Sequence, residues 1–352
     1  MTQHEGARAH VQITGVGHYL PGRVLTNADL ERMVETTDEW IVERSGIRER
    51  RIVQPGESSS TLGTQAALAA LASAQLEASA IDLVVVGTST PDGMFPATAS
   101  RIQDAIGARS AGAFDVNAAC AGFLAALSTG MQFIAGGGAT RVLVIGAETM
   151  SRIVDWTDRN TCVLFGDGAG ALVLERGEPG APGALESFVL RSDGSLASLL
   201  YCGGPAAPAL AGSPSGPYIV MDGRNVFRQA VTAMSQAASD AIAQAGLTVG
   251  NIALCVPHQA NVRILDAVAR NLGLPQDRVY LNLDRYGNTS SASIPIALSE
   301  ASAEGRLQSG DHLLMLAFGG GLSWGAMVVE WSGVRSNPPT HEVVGSAVSL
   351  TH

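Results

Sequence analysis

An α/β fold of two duplicated βα halves is what this chain of 352 residues predicts, and three observations predict it. Short β-branched apolar runs alternate with longer apolar or amphipathic stretches of helical length. The same segments recur at one offset, 171 residues: Leu83 with Leu254, Arg141 with His312, and Asn117-Ala118-Ala119-Cys120 with Asn288-Thr289-Ser290-Ser291. Composition agrees, because 46% hydrophobic and only 15% charged residues, with 41 glycines, suit a compact, tightly looped enzyme rather than a disordered chain. A single βα half cannot bury both faces of its sheet, so the halves pack face to face. The expected boundaries are 11–176 and 177–332, followed by a flexible tail over 333–352.

In order, residues 11–20 read as a strand closed by Pro21-Gly22, and Asn27 as the cap of a helix over 28–34. A helix starting near Thr36-Thr37 carries Asp38 and Glu39 in its first turn, where acids favour the dipole. A helix over 61–74, a strand over 81–87 and a helix over 97–106 lead to Cys120 and a buried helix running to about Ile134. A strand over 141–146 follows; the glycine run 166–171 lacks dinucleotide-site spacing and reads as a tight turn with close packing. The second half reads as strands near 185–191, a helix over 224–245, a strand over 252–256 and another over 313–317.

Composition closes off several function classes. A net charge of −10 argues against non-specific nucleic-acid binding. All 22 basic residues are arginine, which excludes a Schiff-base lysine, a pyridoxal-phosphate anchor and a P-loop lysine. Any anion is therefore gripped by Arg, His or backbone N–H. The four cysteines, Cys120, Cys162, Cys202 and Cys255, form no C-x-x-C pair, so neither a disulfide framework nor a zinc site is expected. A polar start and the lack of a run of about eighteen apolar residues predict a cytoplasmic protein with no membrane span.

Three residues carry the candidate chemistry. Cys120 ends a run of small residues at a strand-to-helix turn, where backbone N–H groups and the helix dipole favour thiolate near neutral pH. His258 closes the buried strand in Val256-Pro257-His258-Gln259-Ala260-Asn261, and Asn288 lies in Tyr286-Gly287-Asn288-Thr289-Ser290. The repeat brings all three toward one pseudo-twofold axis as a nucleophile and two donors. Trp40 and Arg44, four apart on one helical face, form a flat cationic surface suited to an aromatic ring bearing phosphates, or cover core.

Taken together, Thr37 to Val42 with Arg44, Asn117 to Phe123, Asp158 to Thr161, Phe165 to Ala171, Val256 to Asn261, Gly287 to Pro295, Phe318 to Gly321 and Trp324-Gly325 resemble 3-oxoacyl-[acyl-carrier-protein] synthase III of the thiolase superfamily. These motifs run in order over roughly 11–332. The resemblance implies a thiolase fold with layered α/β/α/β/α architecture and a homodimer. It implies that Cys120 takes an acyl group from acyl-CoA, and that His258 and Asn288 stabilise the enolate left when malonyl-acyl carrier protein (ACP) loses CO₂. The N–H groups of Cys120 and Gly320 would form an oxyanion hole. Thr36, Trp40, Arg44 and Arg159 resemble the CoA nucleotide grip, Trp40 and Arg159 flanking the adenine; Gly223, Phe227, Asn261 and Arg263 resemble the pantetheine tunnel. Phe95 matches a residue reaching the partner subunit's acyl pocket, and Arg228, Arg263 and Arg270 are candidates for docking an acidic carrier. No metal and no cofactor beyond the thioester substrates is implied.

The segment 196–217 is longer than the family pattern, which bears on the primer, and the tail after Ser332 is additional. A starter-unit synthase or acyltransferase of a secondary pathway would keep the same trio. A Cys-His-Asn hydrolase lacks support from the flanks of Cys120, and a non-catalytic carrier-binding module would have no use for all three residues.

Overall fold

The computed structural model describes residues 10–178, 180, 182–204 and 217–336. Its first half runs β1 (Val11–Tyr19), β2 (Arg23–Thr26), α1 (Asn27–Leu30), α2 (Asp38–Ser45), β3 (Glu49–Ile52), α3 (Ser59–Ala74), β4 (Leu83–Gly87), α4 (Thr98–Ile106), β5 (Gly112–Val116), α5 (Gly122–Ala135), β6 (Arg141–Thr149) and β7 (Asp167–Arg176). The second runs β8 (Leu185–Ser192), β9 (Leu200–Cys202), β10 (Ile219–Met221), α6 (Gly223–Gln244), β11 (Ile252–Pro257), α7 (Val262–Leu272), α8 (Leu283–Tyr286), α9 (Ser293–Ala303), β12 (His312–Gly319) and β13 (Ser323–Glu330).

The duplication is written in the sheets. The first has the order β1-β7-β6-β4-β5 and the second β8-β13-β12-β11, the same path from opposite ends of the chain. In both, a parallel pair (β4 with β6, β11 with β12) continues into two antiparallel strands. Helices α3 and α4 cover the outside of the first sheet, α6 the outside of the second with α7 packed on it, and α5 and α9 lie between the sheets. The result is the layered α/β/α/β/α arrangement. Strands buried on both faces explain the unbroken apolar runs: Val142 and Val144 of β6 join the central core with Phe123 and Leu127, while Leu143 and Ile145 face α3. Each such side chain is worth about 1.5–3 kcal/mol when fully buried.

The turns Asn117–Cys120 and Asn288–Ser291 fold alike. Ala119 (φ 47°) and Ser290 (φ 49°) both occupy the left-handed region that side-chain-bearing residues rarely enter. Each is held by its own asparagine: Ala119 N–H donates to Asn117 Oδ1 (3.1 Å) and Ser290 N–H to Asn288 Oδ1 (2.8 Å).

Several local expectations are corrected. The cap of α1 is Thr26, in a capping box with Asp29, and the helix stops at Leu30; Asn27 is buried and donates to Asp38 and the Ile47 carbonyl instead. The glycine run is not a turn but the start of β7, lying so close to α9 that a Cβ on Gly170 would sit 2.7 Å from Ile296 N. Strand β13 and the short pairs β2–β3 and β9–β10 carry no clear period in the sequence, because of isolated glycines and lengths of three or four residues. The chain stays packed past Ser332: Ser302 donates to the Val334 carbonyl (2.9 Å), Ser73 to the Arg335 carbonyl (3.0 Å), and Ser336 is buried. The rest of the expected tail, 337–352, and residues 205–216 of the longer segment lie outside the described residues. Among the described residues no helix is long and apolar enough to cross a membrane.

Candidate active site

Cys120, His258 and Asn288 line one cavity of about 1430 Å³. Cys120 sits in the one-turn 3-10 helix Ala119–Ala121 that runs directly into α5. The backbone of β12 presses against it from the second half: a Cβ on Gly319 would lie 2.5 Å from Cys120 N, so only glycine fits there. Gly320, next in the chain, faces the cavity.

His258 leaves the end of β11, its N–H donating to the Leu316 carbonyl at 2.7 Å. Its Nδ1 lies 2.7 Å from Ser293 Oγ, at the first residue of α9. The Ser293 hydroxyl also reaches the Ser290 carbonyl at 2.8 Å. With its single proton directed there, it accepts from Nδ1–H and leaves Nε2 as an acceptor; turned to the ring, it supports Nε2–H. Burial lowers the His258 pKa to about 4, so the ring is neutral at physiological pH.

Asn288 is clamped through its backbone. Its N–H donates to the Leu164 carbonyl (2.8 Å), and its own carbonyl accepts from Gly166 N–H (3.0 Å). Because Oδ1 accepts from Ser290 N–H, the side-chain NH₂ is the edge left to donate to a ligand.

One expectation meets an opposing effect. Burial pushes the Cys120 thiol up to about 12. Loss of water at the sulfur disfavours the thiolate and works against the helix terminus.

At the cavity mouth, Trp40 lies between two guanidinium groups, Arg44 at 4.4 Å and Arg159 at 4.8 Å from its ring centroid. Arg159 also donates to the Glu35 carbonyl at 2.8 Å. No base fits between Trp40 and Arg159 as they stand, so a flanked adenine requires Arg159 to swing aside. Arg44, Gly223, Phe227, Arg228, Asn261 and Arg263 all line the cavity. Asn261 is committed to structure as well: it caps α7 and donates to the Arg44 carbonyl at 2.8 Å, joining α7 to α2. Thr36, Phe95, Arg159 and Arg270 are not among the lining residues; Thr36 Oγ1 is buried without a partner, and Arg270 is exposed in the last turn of α7. Phe95 is 84% exposed beside Met94, which lines the cavity.

Profiles for 3-oxoacyl-[acyl-carrier-protein (ACP)] synthase III match residues 114–194, and for its C-terminal region residues 242–331. Beta-ketoacyl-[acyl-carrier-protein] synthase III of Roseiflexus castenholzii is 51% identical over 325 residues, covering 91% of this chain and 98% of that protein. The chain belongs to the 3-oxoacyl-[acyl-carrier-protein] synthase III family. The synthase III of Rhodospirillum centenum is 52% identical over 322 residues, 91% of this chain and 98% of that one. The crystal structure of the synthase III of Thermus thermophilus superposes with a TM-score of 0.88 at 46% identity, covering 92% of this chain and 99% of the other. The fold is thiolase-like.

Two residues of this synthase III site escaped the sequence reading. Ser293 was hidden in a run of small polar residues, although its place three after Ser290, one helical turn on, puts the two side by side. Glu148 stood out more, as the one acid within the apolar strand 141–149. It is fully buried, and burial raises its pKa.

The buried imidazole also makes stability depend on pH. The unfolded chain takes a proton on His258 near pH 6.5, whereas the folded chain takes it near 4. Stability is therefore complete above about 6.5 and falls by about 3 kcal/mol as pH drops to 4. Urea midpoints measured over that window should fall less steeply for His258→Gln than for the unchanged chain; parallel curves would show that the ring protonates freely in the fold.

Proposed function

We propose that this chain catalyses a decarboxylating condensation, in which acyl-CoA and malonyl-ACP give 3-oxoacyl-ACP, CoA and CO₂. The observation that carries it is the meeting of a thiol from one half with an imidazole and a carboxamide from the other in one deep cavity, with Trp40 and Arg44 at its mouth.

In the first step the Cys120 sulfur attacks the acyl-CoA carbonyl. Its proton passes through the neutral His258 ring to the departing CoA sulfur, which leaves as a thiol. In the second, the malonyl carboxylate leaves as CO₂, and its bonding pair becomes an enolate whose oxygen faces the Asn288 NH₂ and His258 Nε2–H. Each such preplaced donor can contribute about 3–4 kcal/mol. The enolate carbon then attacks the acyl-Cys120 carbonyl, whose developing oxyanion meets the N–H groups of Cys120 and Gly320. Sulfur departs and recovers a proton from solvent. Losing CO₂ rather than a proton requires donors, not a strong base, which fits a histidine held neutral.

Intact-mass spectrometry with a panel of acyl-CoAs tests this reading. One acyl addition should appear and then disappear, with CO₂ release, when malonyl-ACP is supplied. No adduct with any chain length would sink it, and the preferred chain length identifies the primer.

We further read Arg228, Arg263 and Arg270 as the docking patch for the acidic carrier, in the cytoplasm. Arg228 and Arg263 line the cavity mouth, and Arg263 and Arg270 are exposed two turns apart on α7. The paired change Arg263→Glu with Arg270→Glu should raise the KM for malonyl-ACP several-fold in low salt and converge toward the unchanged enzyme in high salt. Unchanged turnover of malonyl-ACP would remove these residues from docking. The exposed apolar pair Met94 and Phe95 beside the cavity supports a homodimer in which a second copy covers it.

A further inference from the structure

Beneath Cys120 lies a buried polar cluster that the condensation as written does not use. Its centre is Glu148, near the end of β6, fully buried, with no cation acting on it among the described residues. Thr90 Oγ1 donates to Oε2 at 2.6 Å, and Ser89 N–H spans both carboxyl oxygens at 3.2 and 3.1 Å. The remaining close contact decides the protonation state. Ser291 Oγ lies 2.7 Å from the Gly87 carbonyl and 2.8 Å from Glu148 Oε1. A hydroxyl has one proton, and the Gly87 carbonyl can only accept. The Ser291 proton therefore goes to Gly87, and Glu148 Oε1 must donate to Ser291, as a neutral carboxylic acid does.

Ser290 stands between this acid and the nucleophile. It is 1% exposed, it lines the cavity, and its φ of 49° holds the hydroxyl where an ordinary turn would not. Ser290 Oγ is buried without a hydrogen-bond partner in the cavity that Cys120 also lines, and the one-turn helices that carry the two residues pack against each other. Its backbone N–H and carbonyl are engaged by Asn288 and Ser293, so the hydroxyl is the free part of the residue. The titratable groups facing Cys120 are Glu148 from β6 and His258 from the end of β11. Were Glu148 ionised, it would attract the Ser290 proton and oppose charge on the sulfur. As a neutral acid it does neither.

We propose that Ser290 is a further catalytic residue: its hydroxyl donates to the Cys120 sulfur as the thiol ionises, above the buried, neutral carboxyl of Glu148. This deepens the proposed condensation and rests on Cys120 being its nucleophile. No covalent bond to Ser290 forms or breaks; its O–H turns toward the sulfur as the thiol ionises, and away when the sulfur is acylated.

The test is the rate of iodoacetamide alkylation at Cys120 against pH, followed by peptide mass spectrometry in the full chain. Ser290→Ala and Ser290→Gly are compared with the unchanged chain, glycine being the residue that the left-handed backbone admits without strain. A hydrogen bond to a charged group is lost, so alkylation near neutral pH should slow roughly ten- to hundredfold and its midpoint should rise by about one unit or more. A folded variant with the original profile would overturn the proposal. Infrared spectra supply the second arm: a protonated-carboxyl band in the unchanged chain should vanish in Glu148→Gln. Its absence from the unchanged chain would equally overturn it. If no acyl-CoA ever loads Cys120, the condensation fails while a displaced alkylation profile still stands.

Discussion

Cys120→Ser should lose all acyl transfer from CoA, with no mass addition after incubation with any acyl-CoA that loads the unchanged chain. The hydroxyl keeps the size and place of the thiol, but a serine proton is far harder to remove, and the site offers only a neutral imidazole with a depressed pKa to take it. Cys120→Gln is the informative companion. Its carboxamide can mimic the acylated side chain, so malonyl-ACP should still lose CO₂ on His258 and Asn288 although no condensation product forms. A Cys-His-Asn hydrolase would instead be silent in both variants. Serine-variant chains that still acquire an acyl group at position 120 would contradict the proposed nucleophile.

Asn288→Ala should slow condensation by about 10²–10³-fold, the usual cost of one preplaced oxyanion donor, while Cys120 still accepts its acyl group. Single-turnover measurements separate the steps: acyl-enzyme accumulates, and its consumption by malonyl-ACP is slow. Asn288→Asp sharpens the comparison, because a carboxylate oxygen can keep the 2.8 Å contact with Ser290 N–H while the donating edge becomes an acceptor facing the enolate. The aspartate should therefore be at least as impaired as the alanine. Condensation within a few-fold of the unchanged rate in Asn288→Ala would remove this side chain from the chemistry.

What was legible in the sequence shares one physical origin. Strands covered on both faces need apolar residues at every position, so Leu83–Gly87 and its repeat in Ile252–Pro257 announce themselves. The small residues before Cys120, and the matching run after Asn288, reflect two tight turns pressed against the opposite half, and the fixed offset survives because both turns keep one geometry. What was hidden depends on partners far along the chain. Glu148 acts through Ser89, Thr90 and Ser291, 143 residues away in the last case. The capping of α1 by Thr26 rather than Asn27 turns on Asn27 being drawn into the core by Asp38 and Ile47. The thiol's raised pKa was missed for the same reason. A helix mouth can be read from neighbours in sequence, whereas the depth of the sulfur beneath β12 and the Ser290 turn cannot.

The twin turns also carry a lesson about ancestry and engineering. By the 171-residue register, Asn117 is the counterpart of Asn288 and Ser291 the counterpart of Cys120, so each repeat still presents the other's pair in altered form. One copy carries the thiol; the other carries the amide and places its serine on Gly87 and Glu148. They have become specialists in a single shared workplace. On the proposed mechanism neither copy expressed by itself would hold more than part of a catalyst, and a symmetric molecule rebuilt from two identical copies would inherit either two thiols or none.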